Sequence, residues 1–332
     1  MKKILTIIFM ILFVSVAAFF YAFPDFLRYA DTPASLESRE IFVTLHQGDG
    51  FGSISEKLTK AGIIKDAFKF KVLARVKGYD KKIKAGEYRL SAAMPPIKIL
   101  ETLAEGKVFL YKLTVPEGYN LRQIASVAAK SGVGTEKAFL AAATDPAFVH
   151  EKGIDAQTFE GYLFPDTYHF PKGVTEKRII SAMVKRFWSV FTPEWMKQAE
   201  ALRFSVHQAV TLASIIEKET GAPFERPIIS SVFHNRLRRR MRLQSDPTVI
   251  YGIKDFDGNV TRKHLRTKTP YNTYKIRGLP PGPIANPGRE SLKSALYPAE
   301  TSYLYFVSKK DTTHKFSTNL RDHNRAVRKY QR

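Results

Sequence analysis

The chain opens on an unbroken apolar block and then alternates between hydrophobic periods of two and of about 3.6 residues. Ile4 to Phe23 (ILTIIFMILFVSVAAFFYAF) carries no charged side chain over 20 residues; as a helix rising about 1.5 Å per residue it spans roughly 30 Å, the thickness of a bilayer core. A cleaved export signal has a shorter apolar core, about 7–15 residues, and a small-x-small site, whereas Ala17, Ala18 and Ala22 sit among Phe19, Phe20 and Tyr21. The expectation is an uncleaved single transmembrane anchor within residues 1–24. Lys2 and Lys3 stay on the cytoplasmic side, and everything after Pro24 lies across the membrane.

Residues 25–40 (DFLRYADTPASLESRE) lose the pattern and read as a linker. From Ile41 the periods return. IFVTL reads as a strand and HQGDGFG as a turn. SISEKLTKAG reads as a helix started by Ser53, with Glu56 completing a capping box and Gly62 closing it. A second helix covers about Phe68 to Lys77, KAGEYRLS a second strand, and PPIKILETLAEG a helix ended by Gly106. The segment 41–110 is thus a small α+β module.

Part of this pattern recurs 70 residues later. LTVPEGYNLRQIASVAAKSGVG aligns with VTLHQGDGFGSISEKLTKAGII, pairing Val43 with Leu113, Gly48 with Gly118, Ile54 with Ile124 and Gly62 with Gly132. Strand, turn and helix appear twice, either as an old duplication or as one supersecondary solution used twice; a solenoid needs about three or more copies. The 41–110 module loosely resembles the LysM-like modules of cell-wall proteins, which implies docking on N-acetylglucosamine-containing glycans. A plain spacer is the alternative.

The rest, 111–328, reads as a larger α+β domain. Its 130–200 stretch is mostly helical, interrupted by FEGYLFPDTYHFPKG, where Phe159, Tyr162, Phe164, Tyr168, His169 and Phe170 surround Pro165 and Asp166. Aromatic faces suit both core packing and sugar rings, and packing is favoured for the area it buries. Residues 325–332 form a basic helix end.

Candidate chemistry begins at SVHQAVTLASIIEKETG. Val206, Ala209, Val210, Ala213 and Glu217 recur at helical spacing, so Glu217 projects from an apolar face near a helix C-terminus. Burial and the negative end of the helix both favour a protonated carboxyl there, which suits a general acid; a structural buried pair is the alternative. Glu219, beside Lys218, reads as a surface residue. Downstream, Asn235, Arg236, Gln244, Ser245, Asp246, Thr248 and Tyr251, then Tyr271, Asn272, Thr273 and Tyr274, supply the amides, hydroxyls and aromatics that hold carbohydrate. Prolines at 280, 281, 283 and 287 stiffen the loop that follows.

Composition narrows the partner. With 53 Lys+Arg against 31 Asp+Glu the net charge is +22, which favours a polyanion. Beyond a membrane that polyanion is cell wall or anionic lipid before nucleic acid. Zero cysteines exclude disulfides, thiolate zinc sites and a cysteine nucleophile. The eight histidines show no HExxH spacing, and no GxSxG, Walker or dinucleotide fingerprint stands in the right context, so no metal and no cofactor is implied.

Four ordered blocks, LASIIEKETG (212–221), SVFHNRLRRRMRLQSDPTVIYG (231–252), TPYNTYKIRGLPPGPIANPG (269–288) and YLYFVSKKDTTHKFSTNLRDHN (303–324), resemble the YceG-like endolytic murein transglycosylases. The resemblance runs from the anchor to about residue 325. It implies a lyase of the cell inner membrane, with Glu217 as the catalytic glutamate, peptidoglycan as substrate and a LysM-like module over roughly 41–110. Glu217 would protonate the oxygen between N-acetylmuramic acid and N-acetylglucosamine, then help the muramyl C6 hydroxyl attack C1, leaving a 1,6-anhydro end. The family works near the membrane beside synthases such as penicillin-binding proteins and limits glycan length. Asp246 and Glu225 are the candidates for a second carboxylate, with Asp246 read as a positioning residue in the SDPT turn. His234 and Arg238–Arg240 depart from the family pattern and add charge. A non-catalytic glycan-binding scaffold for synthases is the rival reading.

Overall fold

A computed structural model describes residues 9–10, 13, 23–253 and 256–331. The expected anchor, 4–23, falls almost entirely outside the described residues, among which no helix is long and apolar enough to cross a membrane. Contacts divide the chain after Tyr111 into two units.

The first unit has one two-stranded antiparallel sheet, β1 (Glu40–Leu45) and β2 (Gly86–Ser91), with Val43 opposite Tyr88 and Ile41 opposite Leu90. Alternation sends Val43, Leu45, Tyr88 and Leu90 inward, where they meet α2 (Phe51–Lys60), α3 (Ala67–Lys77) and α4 (Pro96–Glu105) through Ile54, Leu58, Phe70, Leu73, Ile99 and Leu103. Asp66 caps α3 by accepting from the Lys69 N–H, and left-handed glycines 78 and 106 close α3 and α4.

Two expectations change. The capping box at Ser53 is not formed: α2 starts at Phe51 behind Gly50, with no side-chain cap. The turn is held instead by Gly48 (φ +94°) and by Asp49, which accepts from the His46 N–H at 2.8 Å, while the Phe51 ring stacks on Phe70 at 5.7 Å. Nor is 25–40 a free tether. It begins in a helix, α1, described over residues 23–31, whose Phe26, Tyr29 and Ala30 pack on the first core. The Tyr29 hydroxyl donates to the Asp66 carbonyl at 2.8 Å, and Lys69 meets Asp25 at 2.6 Å.

The 70-residue recurrence holds in three dimensions. β3 (Leu110–Thr114) turns at Gly118 (φ +75°) into α5 (Leu121–Lys130), as β1 turns at Gly48 into α2. Ile54 and Ile124 are both buried. Both helices end on left-handed glycines, 62 and 132, and the next N–H, of Ile63 or Val133, returns to the carbonyl of Leu58 or Ala128 at 3.0 and 3.1 Å. Only the second copy has a capping box, Asn120 with Gln123.

In the second unit, α6 (Glu136–Ala143), α7 (Pro146–Glu151), β4 (Thr167–Pro171, paired with β3), α8 (Glu176–Val190) and α9 (Pro193–Ala201) precede a central helix, α10 (Val206–Glu219). Phe159, Tyr162, Phe164 and Phe170 are buried in this core. Every residue of α10 from Ala209 to Ile216 is buried, so the helix has no solvent stripe. Its polar members bond locally: Thr211 Oγ1 donates to the His207 carbonyl and Ser214 Oγ to the Thr211 carbonyl, each at 2.7 Å. After a single 3₁₀ turn at Pro223–Glu225 come α11 (Arg226–Arg238), α12 (Asp246–Tyr251), α13 (Arg262–Arg266) and α14 (Arg289–Leu296). The antiparallel pair β5 (Tyr305–Ser308) and β6 (His314–Ser317) and the basic helix α15 (Leu320–Tyr330) end the fold.

Candidate active site

Glu217 sits in the last turn of α10 with its side chain 6 % exposed. Its surroundings are not the bare apolar cradle the helix pattern predicts. Oε1 accepts from Arg226 Nη2 at 3.3 Å and Oε2 from the Gly288 N–H at 2.9 Å. Arg226 reaches it because the 3₁₀ turn reverses the chain and makes Arg226 the first residue of α11.

Gly288 is delivered by the proline-rich loop, which runs along α10 and is tied to it at intervals. His207 Nε2 lies 3.0 Å from the Pro281 carbonyl, and the Ile284 N–H donates to Ser214 Oγ at 3.0 Å. A carbonyl only accepts, so Nε2 carries the proton and the neutral ring accepts from the Tyr162 hydroxyl through Nδ1, 3.0 Å away. Gly161 (φ +89°) lets the loop close, since a Cβ there would stand 2.5 Å from Pro283 Cγ. Asn286 then locks the far end. It accepts from the Leu163 N–H at 2.8 Å and donates to the Tyr119 carbonyl at 2.9 Å and to Glu160 Oε1 at 3.0 Å. Its main chain pairs with the 118–119 turn: the Gly118 N–H donates to the Asn286 carbonyl and the Asn286 N–H to the Tyr119 carbonyl.

That turn carries a second carboxyl, which sequence reasoning missed. Glu117 Oε2 lies 3.9 Å from the same Arg226 Nη2. A Cβ at 288 would meet Glu117 Oε1 at 1.9 Å, so glycine at this position leaves room for the carboxyl. The Lys218 ammonium donates to the Gly118 carbonyl at 3.3 Å and pins the turn to α10. Partial burial pushes the Glu117 carboxyl above its ordinary range; Glu217 and Glu290 push the same way, and Arg226 opposes them. The expected candidates stand elsewhere. Glu225 is buried and accepts from both the main-chain N–H (2.9 Å) and Nδ1 (2.7 Å) of His314. The Asp246 carboxylate accepts from the Tyr274 hydroxyl at 2.7 Å.

Several of the other residues singled out from sequence gather around Glu219, two positions on and therefore on the other side of α10. Gln244, Asp246, Tyr274, Arg236 and Glu219 line a cavity of about 410 Å³. Glu219 is not the surface residue that its neighbour Lys218 suggests: its carboxyl is enclosed and accepts from the Ser245 hydroxyl. Thr248, Thr273 and Ser245 form a buried knot, Thr248 Oγ1 lying 2.8 Å from Thr273 Oγ1 and the Ser245 N–H donating to Thr273 Oγ1 at 2.9 Å. Asn272 is buried and donates to the carbonyls of His264, Leu265 and Thr267. Arg236 is buried too, donating to the Leu304 and Leu243 carbonyls at 2.7 and 2.5 Å. Asn235 donates to the Thr301 and Tyr303 carbonyls. Tyr251, whose ring meets Tyr271 at 4.8 Å, donates to Glu160 at 3.0 Å. Thus Gln244, Asp246 and Tyr274 face the cavity together with Arg236, whose guanidinium also bonds main-chain carbonyls, while Ser245, Thr248, Asn272 and Thr273 spend their polar groups on the chain itself.

Two carboxyls here titrate near neutrality. Enclosure raises Glu219 to about 7, with the Asp246 charge adding and Ser245 and Arg236 opposing. Enclosure raises Glu160 to about 7 against its donors Leu121, Tyr251 and Asn286. The folded state therefore binds more protons than the unfolded chain from the ordinary carboxyl value of 4.5 up to about 7, and stability falls as pH rises across that window. Glu219→Gln is expected to lessen this fall by on the order of 2–3 kcal/mol. Urea unfolding at both ends of the window checks it; an equal fall in variant and wild type contradicts it.

A glutamate held between a guanidinium and a main-chain N–H, with a second carboxyl exposed beside it, is equipped to give and take a single proton. The profile of the YceG-like family matches residues 43–329, and the chain belongs to that family. It is 35 % identical over 305 residues to an endolytic murein transglycosylase of Bacillus subtilis, covering 87 % of this chain and 84 % of that protein. A protein of the same name from Streptococcus pneumoniae is 30 % identical over 322 residues, with 86 % of this chain but only 58 % of the longer relative covered. The crystal structure of a YceG-like protein from Listeria monocytogenes superposes with a TM-score of 0.61 at 37 % identity, covering 86 % of this chain and 98 % of that one.

Proposed function

We propose that this chain is an endolytic peptidoglycan lytic transglycosylase and that Glu217 is its acid–base residue. The observation that carries the reading is the Glu217 carboxyl, buried at a helix end with a donor on each oxygen. Held by Gly288 through Oε2, the group is fixed in orientation. Oε1, at 3.3 Å from Arg226, is the looser oxygen and the one that passes the proton. The proton goes to the glycosidic oxygen between N-acetylmuramic acid and N-acetylglucosamine as the C1–O bond breaks. The carboxylate left behind, with Gly288 still donating to it, faces the developing positive charge at C1. The muramyl C6 hydroxyl then bonds to C1 and returns its proton to the carboxylate. Proton and charge balance, no water enters, and the new end is 1,6-anhydro. A scaffold for synthases would leave this buried, doubly held glutamate without a task.

The apolar run 4–23 behind Lys2 and Lys3 supports anchoring in the inner membrane with the active part outside the cytoplasm. A tethered enzyme reaches only wall close to the bilayer, which suits the cutting of nascent strands beside synthases. The +22 charge favours the anionic wall and lipid found there. The first unit is read as a LysM-like module that adds glycan contact. Digestion of nascent-type peptidoglycan is expected to shorten glycan strands internally; wall that binds the protein but keeps its strand length would move the reading to the scaffold.

A further inference from the structure

We propose that Glu117 is a second carboxyl of the reaction centre and that it and Glu217 work as one unit, sharing a single proton beside Arg226. This rests on the transglycosylase reading and deepens it.

Both carboxyls approach one nitrogen, Arg226 Nη2, at 3.3 Å for Glu217 and 3.9 Å for Glu117. Both also meet at Gly288: Glu217 takes its N–H, and Glu117 occupies the space a Cβ would fill. The turn bearing Glu117 is fixed from two sides, by Lys218 on the Gly118 carbonyl and by Asn286 on the Gly118 N–H. Such anchoring exceeds what a surface salt bridge requires. Exposure divides the pair: the Glu217 side chain is 6 % exposed and that of Glu117 51 %. A polymer arriving from solvent meets Glu117 first. Arg226 is itself nine-tenths buried, and its Nε has no hydrogen-bond partner among the described residues, so the two carboxyls carry its charge pairing.

Charge counting gives the pair its task. Two carboxyls, one proton and one guanidinium sum to zero, a state a half-buried site tolerates. When the proton leaves for the glycosidic oxygen the site becomes net negative, facing an oxocarbenium that is net positive. When the C6 hydroxyl attacks C1, its proton returns to the pair. Glycosidases place their two carboxylates on opposite faces of the bond; a pair gathered on one cation lies on one side and serves as a proton store. The charged groups acting on Glu117 are Glu217 from α10, Arg226 from α11 and Glu290 from α14, while Lys218 of α10 bonds the neighbouring Gly118 carbonyl. Two of these are acidic, and with burial they hold Glu117 above its ordinary value, the condition for keeping the shared proton.

The test is turnover on peptidoglycan as a function of pH for the full chain, Glu117→Gln, Glu117→Asp and Glu217→Gln, with thermal melting as the fold control. A singly protonated pair predicts a bell-shaped wild-type profile whose two limbs belong to the pair. Glu117→Gln is expected to lower turnover about 10²-fold and to lose the acid limb, because only one titrating carboxyl remains. Glu117→Asp, which keeps the carboxyl, should keep both limbs at a reduced rate. A Glu117→Gln protein with the wild-type profile, its rate full or merely scaled down, overturns this inference and leaves the Glu217 reading standing. Loss of both activity and melting transition in Glu117→Gln passes the decision to Glu117→Asp, where a missing limb overturns it. A wild type that releases no product overturns the activity reading and this inference with it.

Discussion

Glu217→Gln is expected to reduce turnover by about 10²–10⁴-fold, the range in which a positioned general acid acts, with little loss of stability. Glutamine matches the shape and can still accept from the Gly288 N–H, now 2.9 Å from Oε2. Its amide NH₂ then points at Arg226 Nη2, donor against donor, where the wild type has an acceptor at 3.3 Å. Losing that contact costs about 1–3 kcal/mol, less than a folded domain's margin. The proton donor, in contrast, is gone. Release of soluble fragments from peptidoglycan and thermal melting of the same preparations separate the two effects; full turnover in a folded variant would contradict the assignment.

Asn286→Ala is expected to do the opposite, lowering stability by about 3–5 kcal/mol and taking activity with it. Asn286 is completely buried and its side chain serves three partners: the Leu163 N–H, the Tyr119 carbonyl and Glu160. Alanine leaves the buried Leu163 N–H unpaired, takes from the Tyr119 carbonyl one of its two donors and removes one of the donors that Glu160 holds, the orphaned N–H alone costing about 1–3 kcal/mol. The loop end it locks carries Gly288, two residues on, so the N–H that orients Glu217 becomes mobile. Chemical denaturation measures the first effect. A variant as stable and as active as wild type would show that the 118–119 turn and the loop hold each other through main chain alone.

What could be read from the sequence was local. The helix that carries Glu217, the strand-turn-helix recurrence and the glycine stops at 62, 106 and 132 all follow from period and capping chemistry, which act over a few residues. The misreadings share a cause. Ser53 and Glu56 match a capping box, yet the start of α2 is decided by Phe51 packing on Phe70, which spacing does not reveal. Glu219 looks solvated beside Lys218, but Ser245, 26 residues away, encloses it. Thr248, Asn272 and Thr273 look like sugar ligands by residue type, and the same amides and hydroxyls are what a buried loop needs for its own carbonyls. Glu117 is 100 residues from Glu217, and nothing in periodicity joins them. One clue was present: in the 70-residue recurrence, Gln47 before the first turn glycine becomes Glu117 before the second, a gain of charge at a turn otherwise repeated.

The most direct measurement is the mass of the new chain ends when the protein digests nascent-type peptidoglycan, with Glu217→Gln in parallel. Ends of 1,6-anhydro-muramic acid from the wild type alone are the predicted result. Reducing ends, heavier by one water, would mean that water and not the C6 hydroxyl attacks C1, and would contradict the lytic mechanism built on Glu217.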